Sequence, residues 1–377
     1  MTTSSAFAQS PPTTYNYPAY ALRVADYLLG QQGADGVIPD GQGGRVANVD
    51  STMEYALIGF AAAYWYSRDS RYLNGLEQGI HWLAAREDMS NTSWRGSWYY
   101  AYSTRSPYRS VAISPGGGVT NVRGVDSTSA LFVYLLYLHK TLSGSDALAR
   151  RYEPNARAAL DFVLTKNRAP DGFFYSSWQK WSGGGWELWP FRYAADQGDN
   201  YLGFKAGVLM YGDAAYQQAA SRLEQTGTVF FDAANGNYAV GTYDDGGLER
   251  AEPSFSRVFP QGYLPWIFGT SGSNVNAFQS LYACELSGGA PCTAEELSYS
   301  LTTAVLALAA SALKYPVPTS ALDRLITYAF DPVDGAVRDT TSPNSYKYSN
   351  VAGLTVAALV QFPTLIPADI PTILATR

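Results

Sequence analysis

Two kinds of helical periodicity alternate along the chain. In "YPAYALRVADYLLGQQ", "YLNGLEQGIHWLAARED", "PNARAALDFVLTKN", "AAYQQAASRLEQT" and "TSALDRLITYAF", apolar residues recur every three to four positions and polar or charged ones fill the other face. That is the pattern of a helix with one side in solvent. In "NVDSTMEYALIGFAAAYWYS", "GVDSTSALFVYLLYLHK", "DQGDNYLGFKAGVLMYG" and "KYSNVAGLTVAALVQF", apolar residues run around most of the circumference. Such helices are buried on nearly all sides. The polar-faced helix comes first, a turn and loop follow, and the apolar helix closes the unit.

The turns are marked by Asp35-Gly36, Asp171-Gly172, Asn235-Gly236 and Asp334-Gly335, with Arg95-Gly96 in the same role. Asp and Asn start such turns readily, and glycine accepts the left-handed backbone they need. Short strands are expected just after them, in "GFFYSS" and "GNYAVGTYDD". The apolar helices open at Asp50, Asp126, Asp196 to Asp199 and Ser349-Asn350, all residue types that cap helix N-termini. Ser51-Thr52-Met53-Glu54 reads as a capping box.

The unit recurs about every 60 residues and about six times. The interval from Asn235 to Asp334 holds two units, with helices drawn from "VFPQGYLPWIFG", "NAFQSLYACEL" and "TAEELSYSLTTAVLALAASALKY". The expected fold is all-α, an (α/α)6 toroid of outer and inner helices with short β segments in its loops. No Pro- or Ser-rich linker divides it, so residues 15–377 read as one domain behind a flexible segment, residues 1–14.

Composition narrows the function. Hydrophobic residues make 46% of the 377 and charged ones 15%, which suits a globular protein with ample core. The longest apolar stretch falls short of the roughly 20 residues a membrane helix needs. A net charge of −6, with no basic run, excludes a nucleic-acid partner, because phosphates demand a basic face. No phosphate loop, dinucleotide fingerprint or G-x-S-x-G motif is present, and no cofactor is expected. His81 and His139 stand apart, on an outer helix and near the end of an inner one, so no metal is expected either.

Two cysteines, Cys284 and Cys292, flank a Gly-Gly-Ala-Pro turn and can close a small disulfide loop. Ala6 and Ala8 form the A-x-A arrangement that precedes a signal-peptidase cut, and Asn91-Thr92-Ser93 is a formal glycosylation sequon. The expected location is secreted or periplasmic.

The "DG" turns at Asp35, Asp171 and Asp334, and the "VDST" inner-helix starts at Asp50 and Asp126, resemble those of the six-hairpin glycosidase superfamily. These are the (α/α)6 barrels of many glycoside hydrolases and some polysaccharide lyases. The resemblance spans residues 15 to 365 and matches no single family. It implies a carbohydrate-active enzyme, and because fold alone does not give function, the site has to be read from residues.

In such a ring the loops gather at the N-terminal ends of the inner helices. There the chain concentrates aromatics: Trp94 and Trp98, then Tyr175, Trp178, Trp181, Trp186 and Trp189 in a glycine-broken loop, with Arg192 close behind. Tyr263 and Trp266 extend the set. Aromatic faces stack on sugar rings, so these residues are expected to floor a carbohydrate groove.

Glycoside hydrolysis usually takes two carboxyl groups, one protonated and one ionised. Glu187, between Trp186 and Trp189, is the expected general acid, its pKa raised by an apolar setting. Asp126 and Asp199 at helix N-termini suit an anionic base, and Asp196 and Asp50 complete the candidates. Each aspartate is also what an ordinary N-cap looks like. Asp244, Asp245, Glu249 and Glu252 form a second acidic loop.

The competing readings are a polysaccharide lyase, with Arg45, Arg95, Arg105, Arg109, Arg123 and Arg192 holding uronates, a terpene-cyclase-like toroid, and a non-catalytic glycan binder. The expected partner is a carbohydrate substrate. Oligomeric state is not legible.

Overall fold

A computed structural model describes residues 15–90, 93–250, 255–287 and 292–366. The segment 1–14 with Ala6 and Ala8, the first two sequon residues, and Glu252 lie outside the described residues.

Outer and inner helices alternate in chain order. They are α1 Tyr17–Gln31, α2 Thr52–Ser67, α3 Ser70–Ala84, α4 Asp126–Ser143, α5 Glu153–Phe162 and α6 Ala194–Tyr211. The second half has α7 Ala214–Leu223, α8 Phe255–Phe268, α9 Gly272–Ser287, α10 Ser300–Ala312, α11 Thr319–Arg324 and α12 Ser349–Leu359. The even-numbered helices form the inner ring: α2 packs on α4, α4 on α6, α6 on α8, α8 on α10, α10 on α12, and α12 returns to α2. The odd-numbered helices surround them. This is the (α/α)6 toroid expected from the two periodicities.

Inner helices meet most closely in three pairs, each at a glycine. A Cβ on Gly59 would lie 2.6 Å from the Cα of Gly353, one on Gly203 2.4 Å from the Ala130 carbonyl oxygen, and one on Gly262 2.7 Å from that of Val305. Without side chains there, the backbones of α2 and α12, α4 and α6, and α8 and α10 come into contact.

The turn glycines share a geometry. Gly36, Gly96, Gly172, Gly236 and Gly335 all have φ between 67° and 97°. Gly36 lies on the backbone of Gln78 in α3, and Gly335 on that of Arg23 in α1, which closes the ring. A second repeated device follows. Gln197 on α6 accepts from the Phe174 N–H and donates to the carbonyls of Phe174 and Tyr193. Gln261 on α8 makes the same three bonds with Tyr238 and Arg257.

Some local readings change. Thr52 opens α2, but Ser51 before it has φ 53° and a side chain that caps nothing. The expected capping box at Ser51 to Glu54 is absent. A capping box does form at Thr293 and Glu296, beside the Cys284–Cys292 disulfide, whose Cα atoms are 5.4 Å apart. Helix α6 begins two residues before Asp196, so Asp196 and Asp199 lie inside its first two turns rather than ahead of it. Of the strands expected after the turns, "GNYAVGTYDD" forms them at Asn237–Tyr238 and Gly241–Tyr243, whereas "GFFYSS" pairs at one bridge only, Arg168 with Phe174, and regular pairing there starts at Trp178.

Candidate active site

Above the N-terminal ends of α2, α4 and α6 lies a three-stranded antiparallel sheet, β1 Val119–Arg123, β2 Trp178–Trp181 and β3 Trp186–Leu188. Side chains alternate between the faces of a strand, and this sheet uses both. Val119, Val122, Gln179 and Trp181 line a cleft of about 500 Å³. Its floor carries Asp50, Tyr100, Ser176 and Tyr193, and Trp189 closes one side. Glu187 is the cross-strand partner of Gln179 and so stands on the cleft face, at the rim.

The other face holds the remaining tryptophans. Trp94 packs edge-on against Trp178 and Trp186, at 5.5 Å between ring centroids in both cases. The Arg123 guanidinium lies 4.3 Å from the Trp94 ring centre and 4.4 Å from that of Tyr99, and pairs with Asp88 at 3.2 Å. The tryptophan loop therefore divides. Trp181 and Trp189 face the cleft, while Trp94, Trp178 and Trp186 brace the sheet from behind.

Beneath the cleft five acids converge from three inner helices. Asp50 and Asp196 are half-buried, whereas Glu54, Asp126 and Asp199 are at most 1% exposed. Asp126 accepts from the Ser127 N–H at 2.9 Å and from Asn200 Nδ2 at 2.6 Å. Ser127 Oγ then donates to Asp50 at 3.3 Å, linking the two aspartates. Asp199 accepts from the hydroxyls of Tyr55 and Tyr263. Asp196 is hydrogen-bonded to Ser176 of the cleft. Neither oxygen of Glu54 has a partner on another residue.

Burial without a cation decides the protonation of the group. The Asp50 carboxyl is pushed up to about 6 by burial, against the pull of hydrogen bonds from Tyr100 and Ser127. Burial lifts Asp199 to about 8 despite its two tyrosine donors. Glu54 and Asp126 are raised by burial and by neighbouring carboxylates, and Asp196 by burial and then by Asp126, Asp50 and Asp199. Like charges this close cannot all ionise. Burial and mutual repulsion therefore favour the protonated forms of Glu54, Asp126 and Asp196.

Several expectations are corrected by these surroundings. Glu187 is exposed at the sheet's rim rather than enclosed between Trp186 and Trp189. Trp98 and Trp266 are buried in the core, their indole N–H groups donating to the carbonyls of Leu83 and Phe362. Tyr263 is fully buried and meets Asp199 rather than the cleft. Tyr175 is buried and donates to Asp244 at 2.5 Å. Arg192 is spent on Asp171 and the Tyr243 carbonyl. In the second acidic loop, Asp245 caps the Gly247 N–H.

Glu54, Tyr55, Ser127 and Asn200 belong to the candidate site and are missing from the sequence reading. Glu54 had a signal: it is the one charged residue in α2, a helix otherwise apolar all round.

No protein-family model matches the chain, and no curated protein does. Solved structures do match, over nearly the whole chain. A D-mannose isomerase aligns with TM-score 0.65 at 12% identity, covering 93% of this chain and 99% of that one. The cellobiose 2-epimerase from Spirochaeta thermophila DSM 6192 gives TM-score 0.65 at 14% identity, with 96% and 100% covered. A family 76 glycoside hydrolase from a bovine Bacteroides thetaiotaomicron strain gives 0.58 at 11%, with 92% and 77% covered. The (α/α)6-barrel fold of glycosidase-like enzymes is thus shared, and the site has to carry the function.

Proposed function

We propose that the protein is a carbohydrate-active enzyme, and specifically a glycoside hydrolase in which Asp50 and Asp196 are the reacting carboxyl groups. One observation carries the reading: of the five converging acids, Asp50 lines the aromatic cleft and Asp196, half-buried, bonds to Ser176 in its wall, while the other three are at most 1% exposed. Asp50 receives hydroxyl hydrogen bonds from Tyr100 and Ser127, which favour its anion. It suits the base or nucleophile. Asp196 is held protonated by burial and three neighbouring carboxylates, which suits the acid that protonates the leaving oxygen. Trp181 and Trp189 would stack the sugar rings.

The resemblance to an isomerase and an epimerase supports a second sugar chemistry, proton abstraction beside a carbonyl. Histidine, the commonest general base, is not at hand for it. His139 lies about 20 Å along α4 from Asp126 and faces Glu77, and His81 meets Tyr152. The polar floor also opposes a carbocation cavity. The disulfide supports an exported protein.

The test is a polysaccharide and oligosaccharide panel read for new reducing ends, alongside monosaccharides and disaccharides read for isomerisation. Asp50→Asn and Asp196→Asn should each lower hydrolysis about 10²–10⁴-fold. Retention of activity within a few-fold in both variants would sink the assignment.

A further inference from the structure

We infer that the cleft takes an uncharged glycan and excludes uronates. This rests on reading the cleft as a carbohydrate site, and it names the class of sugar.

The cleft wall and floor present Tyr100, Tyr193, Ser176, Ser177, Gln179 and Trp181 to a ligand, and among the described residues no Arg, Lys or His lines it. Three cations next in sequence to the lining residues, Lys180, Arg123 and Arg192, are turned or bonded away from it. Lys180 alternates with Gln179 and Trp181 along β2 and so points to the opposite face. Arg123 is on that face too, clamped between Trp94 and Tyr99 and paired with Asp88. Arg192, 4% exposed, is tied to Asp171.

What the cleft does carry is acid. Asp50 is in its floor, Asp196 sits behind Ser176, and Glu187 shares the face of Gln179 at the rim. A uronate bound there would set its carboxylate against these groups with no counter-charge. Like-charge juxtaposition costs several kcal/mol, and low-dielectric walls sharpen the field further. Hydroxyls of a neutral sugar, in contrast, find donors and acceptors on serine, tyrosine and glutamine, and its apolar faces find Trp181 and Trp189.

The experiment pairs substrates that differ only in charge: uronate polymers and the same polymers after carboxyl reduction, with neutral mannans, glucans and xylans beside them. Turnover is read as reducing ends and as ultraviolet absorbance of unsaturated ends. Binding is read separately, as quenching of tryptophan fluorescence by oligosaccharides cut from the same polymers. Neutral members are expected to bind and turn over, and their charged counterparts to fall at least about 100-fold lower in kcat/KM.

Equal hydrolysis of charged and reduced members would overturn the inference and leave the hydrolase reading standing. Unsaturated ends would overturn both. Quenching by neutral oligosaccharides alone, with no reducing ends anywhere, would uphold the inference and remove the hydrolase. Quenching by uronates, or by neither class, would overturn it.

Discussion

The two halves of the ring share one architecture and differ at one end. In the half formed by α2, α4 and α6, the first turns carry Glu54, Asp126, Asp196 and Asp199, with Asp50 just ahead. In the half formed by α8, α10 and α12, α10 and α12 instead open on Ser300 and Ser349. Each serine is buried, and its hydroxyl donates to a loop carbonyl, that of Arg338 or of Pro39, at 2.6 Å. Their backbone N–H groups accept no different treatment from that of Asp126: each donates to a carbonyl of a neighbouring loop. A short, neutral, fully bonded side chain is what the fold alone asks for at an inner-helix start. Buried carboxyl groups clustered together are beyond that requirement, so they mark the half to which the proposed chemistry is assigned.

The largest expected effect breaks this comparison directly. Asp196→Asn should lower turnover about 10²–10⁴-fold while the melting temperature holds or rises, because a buried acid is removed. Ser349→Ala should do the reverse, leaving turnover within about two-fold and costing about 1 kcal/mol of stability for the lost hydrogen bond, read by urea unfolding. If Ser349→Ala abolished turnover, the two halves would not differ as described.

Next in size is a change at the seam between the halves. A Cβ on Gly353 would sit 2.0 Å from the Tyr55 carbonyl oxygen. Gly353→Ala, a favourable exchange in an ordinary helix, should here destabilise by about 3 kcal/mol, again by urea unfolding.

Stability should also depend on pH in a direction that the acidic half sets. Asp199 titrates near 8 in the folded protein and near 3.9 in an unfolded chain. Between those values the unfolded state has released a proton that the folded state keeps, so stability falls as pH rises, by roughly 1.4 kcal/mol per unit for each such group. Unfolding midpoints measured from pH 5 to 8 should decline, and Asp199→Asn should flatten the slope. A midpoint that rose through this range would contradict the buried, protonated cluster.

The smallest effect separates the two faces of the tryptophan sheet. Trp181→Ala should raise KM about ten-fold with kcat little changed, whereas Trp186→Ala, behind the sheet, should lower stability and leave KM alone.

The ring was legible because its signal is long and redundant. Alternating polar-faced and apolar helices, punctuated by turns such as Asp171-Gly172, admit few other arrangements. Asp126 and Asp199 were legible as inner-helix acids for the same reason. The surroundings of single side chains were not. Whether Glu187 is buried depends on strand pairing with Gln179, and nothing local announces it. Trp98 and Trp266 look identical in sequence to Trp181, and only the tertiary packing sends them to the core. Glu54 was hidden by a local pattern: Ser-x-x-Glu predicts a capping box, and the left-handed backbone at Ser51 prevents one, releasing the glutamate into the acidic cluster.

Gly335, resting on the backbone of Arg23 where α12 returns to α1 and α2, has a consequence for how the molecule comes apart. An open stack of repeats can peel from its terminal units, each of which has one neighbour. Here every unit has two, and there is no end from which fraying can begin. Losing any one hairpin severs two interfaces at once, so the ring is built to open all together or not at all.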